Sequence, residues 1–144
     1  MPDKVAVFLS QRFTQMMAGD VPLWQRFLTE HGEYFDRFEY NAHVGEGVPL
    51  DPSWPPNIIK AAQALTTKRI DAVGYRGFET WLFEVKPDAG LSALGQLLAY
   101  RVLWERDVTR PGVNYLAIIT DRMNPDEKLL FDTYGIKIYV VTPQ

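Results

Sequence analysis

Apolar residues along the chain follow a period near 3.6 in some stretches and a period of 2 in others, and the succession of the two predicts the elements. Residues 3–18 place Val5, Phe8, Leu9, Met16 and Met17 at helical spacing, with Asp3 as N-cap and Gly19 as stop, and predict an amphipathic helix. A second helix is expected from Pro22, which suits a first turn, through WQRFLTE to Gly32. Over 35–44, Phe35, Arg37, Glu39 and Asn41 alternate with Asp36, Phe38, Tyr40 and Ala42, as in a strand rich in aromatics. Glycines and prolines through 45–56 mark a surface loop, followed by a short helix over 57–65.

The runs KRIDAVGY and FETWLFEVK read as two strands of a hairpin joined at Arg76-Gly77. Leu94, Leu97, Leu98, Val102 and Leu103 predict a helix over 92–107, entered through the breaker Pro87-Asp88-Ala89-Gly90. VNYLAIIT is apolar enough for a buried strand, PDEKLLFDTYG is a short helix opening on Pro125, and IKIYVV is a last strand. This order implies an α/β fold with a mixed central β-sheet flanked by α-helices. The 144 residues read as one domain, with a helical extension over 1–20 and a proline-rich insertion over 45–66.

Composition changes this picture only by exclusion. At 47% hydrophobic and 23% charged residues the chain matches globular averages and should fold throughout. Without cysteine it can form neither disulfides nor thiolate metal centres, so any metal must be held by oxygen or imidazole. The first twenty residues lack a basic leader and their apolar stretch is broken by Ser10, Gln11 and Arg12, so no signal peptide or membrane span is expected and the location is read as cytoplasmic. A net charge of -3 offers no global field for nucleic acid.

The candidate chemistry lies in the hairpin. Strand alternation puts Glu84 and Lys86 on one face. A turn at Arg76-Gly77 sets Asp71 opposite Leu82, on that same face, and a turn at Gly77-Phe78 sets it opposite Glu84 itself; a loop of odd length would turn it away. Two carboxylates and a peptide carbonyl on adjacent strands suit Mg2+ or Mn2+, and a nearby ammonium suits phosphodiester chemistry. Charges within so apolar a strand argue for a role, because burying them unpaired is costly.

Ile70-Asp71, Glu84-Val85-Lys86, and Gln96 with Tyr100 together resemble the PD-(D/E)xK nuclease superfamily, in particular its RecB-like branch with a Gln-x-x-x-Tyr helix. The resemblance covers about residues 22–141 and implies a restriction-endonuclease-like core. It implies Asp71 and Glu84 as metal ligands, the Val85 carbonyl as a further ligand and Lys86 as the catalytic lysine, with Gln96 and Tyr100 orienting Lys86 or the nucleic-acid backbone. Ile70 stands where the family name has proline, and Glu30 or Glu33, with Glu30 ranked first, would be the family's acidic residue in the first core helix.

Lys68, Arg69, Arg76 and Arg101 are candidate phosphate contacts, and Trp54 a candidate for base stacking or for packing of its loop. His31 and His43 are isolated and read as structural or exposed. Trp24, Trp81 and Trp104 are expected in the core. The expected function is divalent-metal-dependent hydrolysis of phosphodiester bonds, with DNA as the favoured partner. The rival is an inactive nucleic-acid-binding or scaffold subunit on the same fold, and the N-terminal helix and the insertion are candidate surfaces for self-association.

Overall fold

The computed structural model describes residues 3–14, 16–47 and 49–143. These form one five-stranded sheet of β1 (Arg37–Val44), β2 (Lys68–Arg76), β3 (Glu79–Val85), β4 (Val113–Thr120) and β5 (Lys137–Val140), side by side in chain order. β1, β2 and β3 pair antiparallel, whereas β3, β4 and β5 pair parallel. The helices α4 (Leu91–Asp107) and α5 (Pro125–Thr133) make the two parallel crossovers. The fold is therefore α/β, a mixed sheet flanked by helices, as the element order implies.

Each face of the sheet carries its own core. On one, α1 (Lys4–Ser10) and α2 (Val21–His31) cover Phe38, Ala72, Trp81, Phe83, Val85 and Ile119. Pro22 sits in the first turn of α2, and Leu23, Trp24, Phe27 and Leu28 form its buried stripe. On the other face, α4 sets Ala93, Leu94, Leu97, Tyr100 and Trp104 against Ile70, Val73, Leu82, Leu116 and Ile118, joined by Phe131 of α5. β3 is buried from Thr80 to Val85, which explains its nearly unbroken apolar sequence. Trp24, Trp81 and Trp104 are all core residues.

The first helix is shorter than the spacing predicts. It ends at Ser10, with Gln11 already extended (ψ 157°), and Gln15 lies outside the described residues. Met17, assigned to its apolar face, is 72% exposed, and Phe13 and Met16 pack against the core from non-helical backbone, so the expected stripe is not carried on by a helix. Gly32–Tyr34 forms a turn of 3-10 helix before β1, and α3 (Pro56–Thr66) follows the proline-rich loop.

One rung of the sheet breaks its alternation. In β1, Phe38 and Tyr40 pack toward α2, but Ala42 and Val44 pack toward α4. In β2, Ile70 faces α4 while Ala72 faces α2, although two residues apart should share a face. The β1–β2 register is the same on both sides, Tyr40 opposite Ala72 and Ala42 opposite Ile70, so no residue has been inserted. Both strands invert between these pairs, at the rung of Asn41 and Asp71. Asn41 has φ 56°, in the left-handed region.

Candidate active site

The hairpin turn is Gly77-Phe78, closed by Arg76 opposite Glu79, and Gly77 takes the φ of 54° that a tight turn needs. Of the two even-length turns the sequence allows, this is the one whose register carries Asp71 to the level of Glu84. The regular β2–β3 ladder stops one rung short, at Ala72 opposite Phe83. Beyond it β2 stays with β1 and leaves β3, and the Asp71 side chain bridges the gap: its Oδ2 accepts from the Val85 N–H at 2.8 Å. The Lys86 N–H donates the other way, to the Ile119 carbonyl in β4 at 2.9 Å. Successive residues of a strand alternate in this respect, so the Val85 carbonyl shares the gap side with its own N–H.

Glu84 projects toward α4, is 7% exposed, and meets Asp71, to which its carboxyl donates a hydrogen bond. The hydroxyl of Tyr100, on α4, donates to Glu84. Burial, then the Asp71 charge, pushes the Glu84 carboxyl up to about 9, and burial also raises Asp71. Burial, with Glu84 second, raises Tyr100. The two carboxyls thus hold a shared proton near neutral pH because no positive charge beside them suffices to ionise both. Lys86 is exposed at the end of β3, where its charge favours ionised Glu84.

The structure adds an acid that the sequence reading omits. Asp20, N-cap of α2, is within electrostatic reach of both Asp71 and Lys86, and burial raises its pKa. Its neighbour Gly19 lies against Pro87, with a Cβ there about 4.0 Å from Pro87 Cγ. The acid just before Pro22 marks a helix start in the sequence, but its proximity to residues far along the chain has no local signal.

Glu30 and Glu33, the acids proposed for that place, are elsewhere. Asp20 and Glu30 are separated by ten residues of helix, about 15 Å. Glu30 pairs with Arg26 at 3.9 Å and Glu33 with Lys4 at 3.9 Å. Both line a hollow of about 440 Å³ with Tyr34, Glu79, Trp81 and Tyr139, at the end of β3 away from Glu84. Glu30 lies in the last turn of α2 and Glu33 in the 3-10 turn that follows it, both remote from the start of α2 that reaches the site. Arg76 is also remote, at the hairpin turn some 17 Å along β2, with its guanidinium 3.8 Å from the Tyr34 ring centroid.

The other cations lie nearer. Lys68 and Arg69 open β2 opposite Val44 and His43, and Arg101 follows Tyr100 on α4. Gln96 is exposed one turn before Tyr100. His43 Nδ1 lies 2.8 Å from Thr67 Oγ1, His31 packs between Phe27 and Tyr139, and Trp54 is 40% exposed in its loop.

The donor set suits a hard cation. Glu84 Oε2 is buried without a hydrogen-bond partner, beside a second carboxylate and on the gap that the Val85 carbonyl shares. Among the described residues no three His, Asp or Glu side chains converge into a metal cage. An ion held here would keep several waters, as Mg2+ commonly does.

No family model and no curated protein matches the sequence. A solved structure, that of a protein of unknown function designated AF1548, aligns with a TM-score of 0.47 and 18% identity over 81% of this chain and 54% of that one. Among the described residues no helix is long and apolar enough to cross a membrane.

Proposed function

We propose that the protein is a divalent-cation-dependent nuclease that hydrolyses phosphodiester bonds, with DNA the favoured substrate. The observation that carries this reading is the Asp71–Glu84 pair, two buried carboxyls at a point where strands part, with one oxygen unpartnered and a lysine beside them. Asp71, Glu84 and the Val85 carbonyl would hold Mg2+ or Mn2+, and Asp20 adds negative charge from the start of α2. The ion supplies neutralisation of phosphate charge and acidification of water. Tyr100 holds Glu84 in place through its hydroxyl. Lys86 brings an ammonium to the mouth of the site, where it balances charge building on the phosphoryl oxygens. Lys68, Arg69 and Arg101 would contact phosphates on either side. The resemblance to PD-(D/E)xK nucleases points the same way, through Asp71, Glu84, Lys86, Gln96 and Tyr100.

The test is hydrolysis of single-stranded, duplex and branched DNA, and of RNA, with Mg2+ or Mn2+, comparing wild type with Asp71→Ala and Lys86→Ala. Loss of activity by about 100-fold or more in each is expected; activity that survives both changes overturns the assignment.

A second reading, a catalytically inactive nucleic-acid-binding or scaffold subunit, is favoured by the acid count, since only two carboxylates touch at the centre. Calorimetric titration with Mn2+ separates the two: the nuclease reading requires uptake that Asp71→Ala abolishes, and the inactive reading requires none.

A further inference from the structure

We propose that Asn41 is a positioning residue for the carboxyl pair: its left-handed backbone inverts β1, and with it β2, so that Asp71 leaves the ladder and takes the Val85 N–H. The proposal rests on the reading of Asp71 as a cation-holding carboxylate and concerns how that carboxylate comes to be available.

Three observations meet at one rung. Asn41 has φ 56° within a strand, a conformation that residues other than glycine seldom adopt and that asparagine tolerates best among them. Constant register on both sides makes Asp71 its partner, and both strands exchange faces there. The β2–β3 ladder ends one rung before it, at Ala72 opposite Phe83, and the Asp71 carboxylate replaces the main-chain acceptor for Val85.

Without the inversion, regular alternation would continue from Ala72 through Ile70, placing both on the α2 face. β2 would then have no reason to leave β3, and a backbone carbonyl would satisfy Val85 in place of Asp71 Oδ2. The Asn41 side chain does not impose the turn through its oxygen, because Oδ1 is buried without a hydrogen-bond partner. What the position requires is a residue that accepts positive φ. Glycine meets this requirement without burying an orphaned acceptor.

The experiment reads amide exchange at Val85 by NMR in the metal-free chain, with Trp81, inside the intact ladder, as internal control. Asn41→Gly is expected to match wild type at Val85 within about twofold, whereas Asn41→Ala accelerates Val85 by about tenfold or more and leaves Trp81 unchanged. Mn2+ affinity is expected to follow the same order. Unchanged Val85 protection in Asn41→Ala overturns the proposal, as does Asn41→Gly behaving like the alanine variant. If Asn41→Ala does not fold, the glycine variant decides alone, since loss of its Val85 protection contradicts a purely conformational requirement. If wild type takes up no Mn2+, the cation reading fails, and the Val85 comparison still tests Asn41.

Discussion

A carboxyl buried beside another carboxyl makes stability depend on pH, and Glu84 sets the direction. Its pKa rises from an ordinary 4.5 to about 9 on folding, so the native chain retains a proton that the unfolded chain releases between those values. This contribution favours the fold most at low pH and is lost progressively as pH rises from about 4.5 toward 9. Glu84→Gln keeps the shape and removes the charge. In the presence of a chelator it should flatten that part of the pH dependence and raise stability at pH 8 by about 1–3 kcal/mol relative to wild type. Urea unfolding at pH 5 and pH 8 measures this, and parallel curves for the two proteins would contradict the shared-proton description. If the pair holds an ion as proposed, binding must expel the same proton. Mn2+ titrations at pH 7 in buffers of different ionisation enthalpy should therefore show release of about one proton, reduced in Glu84→Gln.

Between elements, the tightest constraint joins the hairpin to the start of β4. The Val113 N–H donates to the Phe78 carbonyl at 3.0 Å, and a Cβ on Gly112 would lie 1.8 Å from that oxygen, at a φ of 119°. Gly112→Ala should cost about 2–4 kcal/mol in chemical denaturation, because backbone on both sides must shift. A variant within 0.5 kcal/mol of wild type would show that this junction yields easily, by the usual scale of surface substitutions, about that size. At this scale the sequence was most legible where apolar patterning was strong. β4, α4 and α5 lie where VNYLAIIT, the leucine spacing of 92–107 and Pro125 place them, and Asp71 and Glu84 meet because the hairpin turn has even length. Patterning misled at the first helix, where Met17 matched a period but is exposed and Met16 reaches the core from non-helical backbone, and at β1, where strict alternation hides the inversion at Asn41. Asp20 was beyond local pattern altogether, since only the packing of α2 beside the end of β3 brings it near Asp71. Tyr100 was placed beside the site, with Gln96, through the family resemblance; its hydroxyl meets Glu84, whereas Gln96 is exposed one turn earlier.

For the whole molecule, an ion held by the carboxyl pair, as proposed, would couple its binding to global stability. If Mn2+ binds the folded chain alone, a concentration a hundred times its Kd should stabilise the protein by about 2.7 kcal/mol. The accompanying rise in Tm should vanish in Asp71→Asn; a rise that persists would place the ion elsewhere. The strand order has a different consequence, one that concerns synthesis. Because β1 to β5 stand in the sheet as they occur in the chain, no strand has to be threaded between two already in place. A chain emerging from its N-terminus can add each strand to the open edge left by the last. Asn41, Asp71 and Glu84 belong to the first three strands, joined by antiparallel pairing, so the rung that assembles the acids can form while β4 and β5 are still unmade.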